Sequence, residues 1–513
     1  MIEEFAGIYR TSWSEFLDLN HTINPMMLVS LWILKFAPGP SIELGRTSES
    51  KGTLVFHSHP HFYPDTPMPS TVFDSSIFRD LFGTPAMRAV FSDEALARRY
   101  VEVEVALAKA QAQVGVVPPT AAKQITEQAA TKATDLGKLK TETDVVGYPI
   151  VGIVHQLAAH VGDAGRYVHW GATTQDIMDT ATVLQLRDAL VIIDADLAAL
   201  DATLTALARR HRDTVMAGRT HLQHALPVTF GYKAAVWLSM IQRHRQRLDQ
   251  LKPRLLVVQF SGAAGTLASL GTDGLAVQAA LAAELQLAQP SITWHAARDS
   301  MAEAVSFLGL VTGSLAKIAT DIMLLMQTEV AEAFEPFVQG RGSSSTMPQK
   351  RNPISCEMIV ALAKAVRQHA GLMLDAMAAD HERATGPWHL EWIAVPESFI
   401  ASAGALHQAR FMLDGLIVDP GRMKKNLDMT GGLIVAEAVM MALAPHTGRG
   451  PAHDIVYAAC RDALEQGTPL IDQLRKRPDV TAHFDAAALT TLTDPANYLG
   501  TAPAMVDRVV GGR

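Results

Sequence analysis

The chain has 513 residues, a formal net charge of -8 and no block of basic residues, so its charge does not favour binding to nucleic acid. Apolar residues make up 48% of the chain but aromatic residues only 6%, which favours close-packed helices over a β-sandwich. Its 2 cysteines argue against a disulfide framework or a cysteine zinc site. We therefore expect an all-α protein of two or three packed units in a reducing, cytoplasmic compartment.

The stretch 1–67 carries scattered proline, glycine and aromatic residues without a helical period. Its one dense apolar run, 26–37, is too short to span a bilayer, and the acidic residues before it do not form a basic targeting region. A conventional sequence begins at Met68. We interpret 1–67 as a disordered or mis-assigned extension, and we expect it to be dispensable.

Three regions are predicted beyond this extension: an N-terminal helical domain at 68–179, a bundle of long helices at 180–418 and a small helical domain at 419–513. Between Leu186 and Leu207, leucine and isoleucine recur at alternating spacings of four and three, which is typical of a helix packed lengthwise on a neighbour. Four more long helices are predicted at about 231–251, 300–332, 353–378 and 398–416. Function is expected where loops meet the ends of these helices.

The stretch 169–176, H-W-G-A-T-T-Q-D, lies just before the first long helix. Its two adjacent hydroxyls, Thr173 and Thr174, can donate to a carboxylate, and Asp176 could cap the helix or orient a neighbour. On these residues alone, a helix cap is the simpler interpretation.

The loop 218–229 contains His221, and an imidazole suits the transfer of a proton to a departing nitrogen or oxygen. A lone loop histidine is more often structural. Gln259 precedes a glycine-rich turn at 261–266, for which tight packing is an equally good explanation.

The stretch 342–353, G-S-S-S-T-M-P-Q-K-R-N-P, is the most informative of the chain. Asn352 before Pro353 predicts an N-cap followed by proline at the first helical position, so the loop would lie at the positive end of a helix. There Ser344, flanked by backbone N–H groups and Lys350, could have its alkoxide stabilised and serve as a base. An ordinary serine-rich helix cap is the alternative.

These twelve residues resemble the signature loop of the fumarase/aspartase superfamily, in which Gly-Ser-Ser-x-Met-Pro-x-Lys-x-Asn recurs with variations around the serines. Ser343 stands where many members have glycine. The stretches 169–176 and 218–229 resemble the first and second signature regions of the same superfamily. The resemblance implies an all-α, three-domain fold whose central long-helix bundle forms a homotetrameric core, with active sites drawn from three subunits.

The resemblance also implies roles for individual residues. Ser344 would be the catalytic base, His221 the general acid, and Lys350 a cation that stabilises a doubly charged enediolate. Substrate-binding roles would fall to His169, Thr173, Thr174, Gln259, Asn352 and Arg383. The expected partner is a small di- or tricarboxylate, without nucleic acid, membrane, metal or cofactor.

The resemblance covers about 73–510, and its details favour the branch that holds adenylosuccinate lyase and 3-carboxy-cis,cis-muconate cycloisomerase. The stretch 380–384, D-H-E-R-A, is most similar to the cycloisomerases, whereas Thr143 stands where adenylosuccinate lyases carry a histidine. His221 departs from the pattern, because cycloisomerases tend to have tryptophan there.

We therefore expect an enzyme that converts 3-carboxy-cis,cis-muconate to 4-carboxymuconolactone in the breakdown of aromatic acids. The alternative is a C–N lyase that releases fumarate from an N-substituted aspartate such as adenylosuccinate. A non-catalytic structural protein or a helical scaffold is disfavoured because Ser344, Lys350, Asn352 and His221 are retained together.

Overall fold

The computed structural model describes residues 70–383 and 385–511, so the prediction for 1–67 lies outside the described residues. Helices dominate this part of the chain, and its few strands are short and form two antiparallel pairs. The prediction of an all-α protein is confirmed.

Short and medium helices form the first part of the described chain, and α3 is the longest of them. They are α1 Arg79–Phe82, α2 Pro85–Val90, α3 Asp93–Val114, α4 Pro119–Ala129, α5 Leu136–Val146 and α6 Ile150–Val161. The long helix α3 is capped at its start by Ser92, whose side chain accepts the N–H of Ala95. Gly115, in the left-handed conformation, caps its end. A 3₁₀ turn at Gly162–Tyr167 then leads to the His169 segment.

The bundle consists of five long helices, with the shorter α9 inserted between the second and third. They are α7 Thr174–Arg210, α8 Phe230–Leu255, α9 Gly274–Leu285, α10 Asp299–Met326, α11 Ile354–Ala376 and α12 Pro387–Asp414. The predicted apolar seam from Leu186 to Leu207 is buried along its whole length in the largest apolar cluster. Helix α10 is apolar enough to span a membrane by composition, and its place in this same core accounts for that.

Three of the predicted bundle helices have ends that differ from the sequence interpretation. Helix α12 begins at Pro387 instead of 398, because Pro396 is accommodated inside it. Helix α10 ends at Met326, before the predicted 332. Helix α11 starts at Ile354, with Pro353 in the N-cap position, so the prediction that Asn352 caps it is wrong by one residue.

The segment predicted as a loop around His221 is a β-hairpin of β1, Val215–Thr220, and β2, Gln223–Thr229. Its two-residue turn is formed by His221 and Leu222, with φ of 51° and 62°. Positive φ at both central residues defines a type I′ turn, which matches the twist of paired strands. Neither residue is glycine, asparagine or aspartate, so this turn carries backbone strain.

Small helices and a second strand pair complete the described chain. They are β3 Ala333–Phe334, β4 Ile417–Val418, α13 Pro420–Asp428, α14 Ala436–Thr447, α15 Arg449–Gln466, α16 Leu470–Arg475, α17 Pro478–Thr481, α18 Ala486–Leu492 and α19 Ala502–Gly511. Helices α14 to α18 share an apolar cluster of their own. The domain boundaries expected from the sequence stay predictions, and the one at 179/180 falls inside α7.

Helix α7 has 37 residues and is therefore roughly 55 Å long. Thr173 directly precedes it, and the hairpin follows it. Even if the strands of the hairpin, roughly 20 Å long, pointed back along the bundle, His221 would stay tens of ångströms from Thr173. The two residues consequently lie near opposite ends of the bundle.

The other long helices assign the remaining loops to these two ends. Helix α10 begins next to α7, where Arg298 bonds Asp179, and six residues beyond its end Glu332 bonds Arg219 of the hairpin. The 342–353 loop follows, so it belongs to the hairpin end. Helix α11 then returns the chain to the other end, where Arg383 donates to Thr173.

Candidate active site

Two hydroxyls and a guanidinium gather at the start of α7. The Nη1 of Arg383 donates to Oγ1 of Thr173 at 3.0 Å, and its Nη2 donates to the carbonyl of Ala263 at 2.9 Å. Thr173 and Thr174 are both half-buried. A cation and adjacent hydroxyls at a helix N-terminus form a set that can bind a carboxylate.

A buried carboxylate holds this turn against the glycine-rich segment. Asp176 accepts the N–H of Thr173 at 2.9 Å, the N–H of Ser261 at 2.8 Å, the Oγ of Ser261 at 2.9 Å and the N–H of Gly262 at 3.0 Å. Burial raises the pKa of Asp176, and these hydrogen bonds oppose that rise. The expectation that Asp176 orients its neighbours agrees with these contacts.

Gln259 lies beneath the same segment and is fully buried. Its Nε2 donates to Oγ of Ser261 at 2.9 Å, and its Oε1 accepts the N–H of Trp294 at 3.0 Å. Because the amide is buried, it supports the loop in this arrangement. Its assignment as a substrate-binding residue stays a prediction.

His295 is a buried histidine at this end that the sequence interpretation did not single out. Neither of its ring nitrogens has a hydrogen-bond partner among the described residues, and its ring packs directly on Gly265, whose φ is 92°. Burial lowers the pKa of His295, and the charge of Arg383 lowers it further. Both effects disfavour the protonated form of the ring beneath the glycine-rich segment.

His169 lies in the turn before Thr173, on a backbone with φ of 61°. Its Nδ1 is 2.6 Å from Oε1 of Glu104, a buried residue of α3. Burial by itself lowers the pKa of His169, but the hydrogen bond and charge of Glu104, together with the charge of Asp176, raise it above its ordinary value. His169 thus lies at the same end of the bundle as Thr173 and Arg383, and its assignment as a substrate-binding residue stays a prediction.

A buried network of one cation and two carboxylates fastens this end of the bundle. Arg298 bonds Asp179 at 2.7 and 3.0 Å and Glu391 at 2.5 and 2.8 Å, and all three side chains are buried. Trp388 also donates to Asp179, at 3.1 Å. The network joins α7, which carries the Thr173 turn, to α12, which follows the Arg383 segment.

The 342–353 loop at the opposite end is closed at its base. The N–H of Asn352 donates to the carbonyl of Gly342 at 3.0 Å, and the backbones of Ser343 and Arg351 form an isolated antiparallel β-bridge. Gly342 has φ of 70°, and a Cβ there would lie 2.6 Å from the carbonyl oxygen of Asn352. Only glycine fits this position.

Ser344 is half-buried, whereas the serines on either side of it are exposed. Its Oγ accepts the backbone N–H of Thr346 at 3.3 Å and that of Met347 at 3.1 Å. Two N–H groups directed at one hydroxyl oxygen stabilise its negatively charged form. The geometry agrees with the predicted alkoxide, and Lys350, in the same loop, is exposed.

The start of α11 already holds a carboxylate of the same chain. Its N–H groups at Cys356 and Ser355 donate to the carboxylate of Glu335, at 2.8 and 3.3 Å, and Glu335 is buried. An internal carboxylate therefore already occupies the positive end of this helix. The side chains of Lys350 and Asn352 are the groups of this loop that stay predicted to meet an anion.

His221 is exposed at the tip of its hairpin. Arg219 anchors the adjacent strand by two bonds to the buried Glu332, at 2.7 and 2.9 Å, and Asn426 donates to the same carboxylate at 2.8 Å. The hairpin is thus held close to its turn, two residues before His221, and the imidazole of His221 is exposed there.

One chain therefore brings together His169, Thr173, Thr174 and Arg383, with Gln259 beneath them, and it places His221, Ser344, Lys350 and Asn352 at the other end. Among the described residues, no group of histidine, cysteine and acidic side chains is arranged to hold a metal ion. The two sets can do chemistry together only if more than one chain contributes.

The fold and these loops define a helical-bundle enzyme of the lyase class, and the sequence comparisons agree. The chain matches the family model described as Lyase over residues 82–367 and that described as Adenylosuccinate lyase C-terminus over residues 432–509. It therefore belongs to the fumarase/aspartase superfamily, in the branch of adenylosuccinate lyase and 3-carboxy-cis,cis-muconate cycloisomerase. The resemblance found in the signature loops is confirmed.

Individual relatives carry different names. The chain is 48% identical to trans-aconitate decarboxylase 1 of Mycosarcoma maydis over 87% of this chain and 90% of the relative. It is 47% identical to 3-carboxy-cis,cis-muconate cycloisomerase of Pseudomonas aeruginosa over 86% of this chain and 97% of the relative. The solved structure of a fumarate lyase from Mesorhizobium sp. BNC1 has a TM-score of 0.80 and 59% identity, over 84% of this chain and 99% of that chain.

Proposed function

We propose that the protein is a cofactor-independent cycloisomerase that converts 3-carboxy-cis,cis-muconate to 4-carboxymuconolactone in the breakdown of aromatic acids, in the cytoplasm. The observation that carries the proposal is the combination of a carboxylate-binding end, at Thr173 and Arg383, with a base-bearing loop, at Ser344. A tricarboxylate needs several separate anion contacts, and the hydroxyls and cations at these two ends support such binding. The identity to a cycloisomerase over nearly the whole length of that relative supports the choice.

In the proposed reaction, a carboxylate oxygen of the substrate attacks the alkene and forms the C–O bond of the lactone. The electron pair of the alkene moves to the carbon next to another carboxylate and produces an enediolate. The side chains of Lys350 and Asn352 stabilise its charge, while the N–H groups of Thr346 and Met347 stabilise the Ser344 oxygen. Ser344 then delivers a proton to that carbon, and in the reverse direction it removes this proton.

The proposed catalytic unit is a homotetramer whose sites gather signature regions from different subunits. The positions of Thr173 and His221 near opposite ends of the 37-residue helix α7 support this assembly, because one chain cannot bring them together. Apolar side chains exposed on the bundle helices, such as Val191, Leu310 and Leu374, are compatible with packing between chains.

Mixing two inactive variants is expected to restore activity if sites are shared. Thr173→Ala and Ser344→Ala each damage one end of the chain, but a hybrid tetramer contains some sites that receive an intact residue from each parent. The measurement is the turnover rate after the two purified variants are mixed, dissociated and reassembled, with each variant treated alone as the control. Recovery no greater than that of the separate variants would contradict shared sites.

A second candidate is a C–N lyase that releases fumarate from an N-substituted aspartate. His221 favours it, because an imidazole at the hairpin tip can protonate a departing nitrogen. In this alternative Ser344 removes the proton next to the carboxylate, and the bond to nitrogen then breaks.

Product analysis is expected to separate the two candidates. The protein is incubated with 3-carboxy-cis,cis-muconate, with adenylosuccinate and with simpler N-substituted aspartates, and the products are identified by proton NMR while the ultraviolet absorbance is followed. Loss of the muconate absorbance with appearance of the lactone supports the first proposal. Fumarate formation without lactonisation would replace it with the second, and release of carbon dioxide from a tricarboxylate would contradict both.

A further inference from the structure

Glu104 is a charged residue buried in the apolar side of α3, where it is only 1% exposed. Burying a carboxylate without partners costs free energy, so the hydrogen-bond partners of Glu104 indicate its role. Its Oε1 is 2.6 Å from Nδ1 of His169, and its Oε2 accepts the backbone N–H of the same residue at 3.1 Å. Both of its oxygens are therefore bonded to one histidine.

The same helix holds the turn at a second point. Gln111, two turns further along α3 and fully buried, donates to the carbonyl of Trp170 at 2.6 Å. His169 adopts φ of 61°, which is unfavourable for a residue with a side chain. Two buried polar residues of one helix thus hold a strained turn that directly precedes the hydroxyls of Thr173 and Thr174.

The contact with Glu104 leaves the other nitrogen of His169 available. Nε2 has no hydrogen-bond partner among the described residues. It is also absent from the buried polar atoms that lack a partner, so it is in contact with solvent. The His169 side chain is 21% exposed. A ligand that entered the Thr173 end could reach this nitrogen without any change in the fold.

We propose that Glu104 is a positioning residue that fixes the orientation and the positive charge of His169, so that Nε2 donates to a carboxylate of the substrate. The inference deepens the proposed function and rests on its carboxylate substrate. Glu104 does not touch the substrate and acts only through His169. A carboxylate behind an imidazole favours the imidazolium, which is a stronger donor to an anion than the neutral ring.

The charges that face His169 have one sign. Glu104 on α3 and Asp176 at the start of α7 are both acidic, and together they raise the pKa of the imidazole although burial lowers it. Carboxylate binding through Nε2 is therefore fully present below this raised pKa and is lost as the pH rises through it. Without the charge of Glu104 the loss is expected at a lower pH.

The test uses Glu104→Gln in the full chain, with propane-1,2,3-tricarboxylate as the probe. At neutral pH its inhibition or dissociation constant is expected to rise about tenfold, the size of one charge-assisted hydrogen bond. The difference is expected to shrink as the pH is lowered, because His169 then becomes protonated in both proteins. Glu104→Asp, which keeps the charge, is expected to recover part of the affinity.

A loss of affinity of the same size at every pH would assign Glu104 a purely structural role and overturn the inference. The matched control is Asp201→Asn, which removes another buried carboxylate, one that bonds Arg245. Asp201 lies roughly 40 Å along α7 from Thr174, far from His169. This control is expected to leave the pH dependence unchanged.

Nitrogen-15 NMR of labelled histidine tests Glu104 independently of any substrate. The His169 signal, assigned with a His169→Asn variant, is expected to titrate at lower pH in Glu104→Gln than in the unaltered protein. An unchanged titration would overturn the inference even if the probe binds. If the probe does not bind the unaltered protein but the titration shifts, carboxylate binding through Nε2 fails, and only the effect of Glu104 on the charge of His169 stands; product analysis tests the proposed function separately.

Discussion

Ser344→Ala is expected to lower turnover by roughly 10²- to 10⁴-fold, the usual contribution of a positioned acid or base. The hydroxyl is half-buried, and its acceptor contacts run to the N–H groups of Thr346 and Met347 within the same loop. Its removal opens no core cavity, so the unfolding transition is expected to change little. The measurement is kcat with the substrate established by product analysis, together with thermal unfolding.

The neighbouring serines provide a matched control. Ser343 and Ser345 are exposed and lie in the same loop, so Ser343→Ala and Ser345→Ala change the same group without removing the predicted base. Both controls are expected to keep most of the activity. If one of them lost as much as Ser344→Ala, or if Ser344→Ala kept full activity, the assignment of the base would be wrong.

Arg298→Met is expected to lower the free energy of unfolding by about 3–5 kcal/mol, because it leaves two buried carboxylates without their cation. Asp179 and Glu391 each receive two bonds from Arg298, and all three side chains are buried. Burial already raises the pKa of Glu391, and the bonds and charge of Arg298 oppose this rise. The measurement is urea-induced unfolding followed by circular dichroism.

An exposed ion pair serves as the control for this prediction. Arg254 bonds Glu303 on the surface, and Arg254→Met is expected to change stability little, since water screens such pairs. The triple variant Arg298→Met, Asp179→Asn, Glu391→Gln is expected to recover part of the lost stability because no buried charge remains. An equal loss in Arg298→Met and Arg254→Met would show that burial of the network contributes nothing.

The sequence could predict the helices whose apolar pattern continues through the core. The seam between Leu186 and Leu207 is one, because each of its residues faces a neighbouring helix and therefore has to be apolar. The resemblance of 342–353 and 169–176 to the signature regions of the superfamily also identified Ser344 and the Thr173 turn as candidate site residues. These features depend on local patterns and could be read before the structure.

The His221 hairpin could not be predicted from its turn. Type I′ turns are normally signalled by asparagine, aspartate or glycine, and His221 and Leu222 give no such signal. The start of α12 was misplaced for a related reason, because Pro396 argues for a break but is accommodated inside a helix held by the core. In both places tertiary packing overrides the local preference of the residue.

The supporting residues of the candidate site were also missed, although one signal was present. Glu104 and Gln111 lie in helical phase with the buried Tyr100 and Leu107, so both fall on the apolar side of α3. Polar residues on that side predict buried partners. Their partners at His169 and Trp170 are distant in sequence, and no local pattern could have named them.

The length of α7 has a consequence for how such a chain can change during evolution. Inserting or deleting one residue in its 37-residue span would rotate one end relative to the other by about 100° and shift it by about 1.5 Å. The Thr173 turn and the His221 hairpin would then be misaligned with each other, although neither had been altered. Descendants of this protein can accordingly exchange side chains along the helix far more easily than they can gain or lose residues within it.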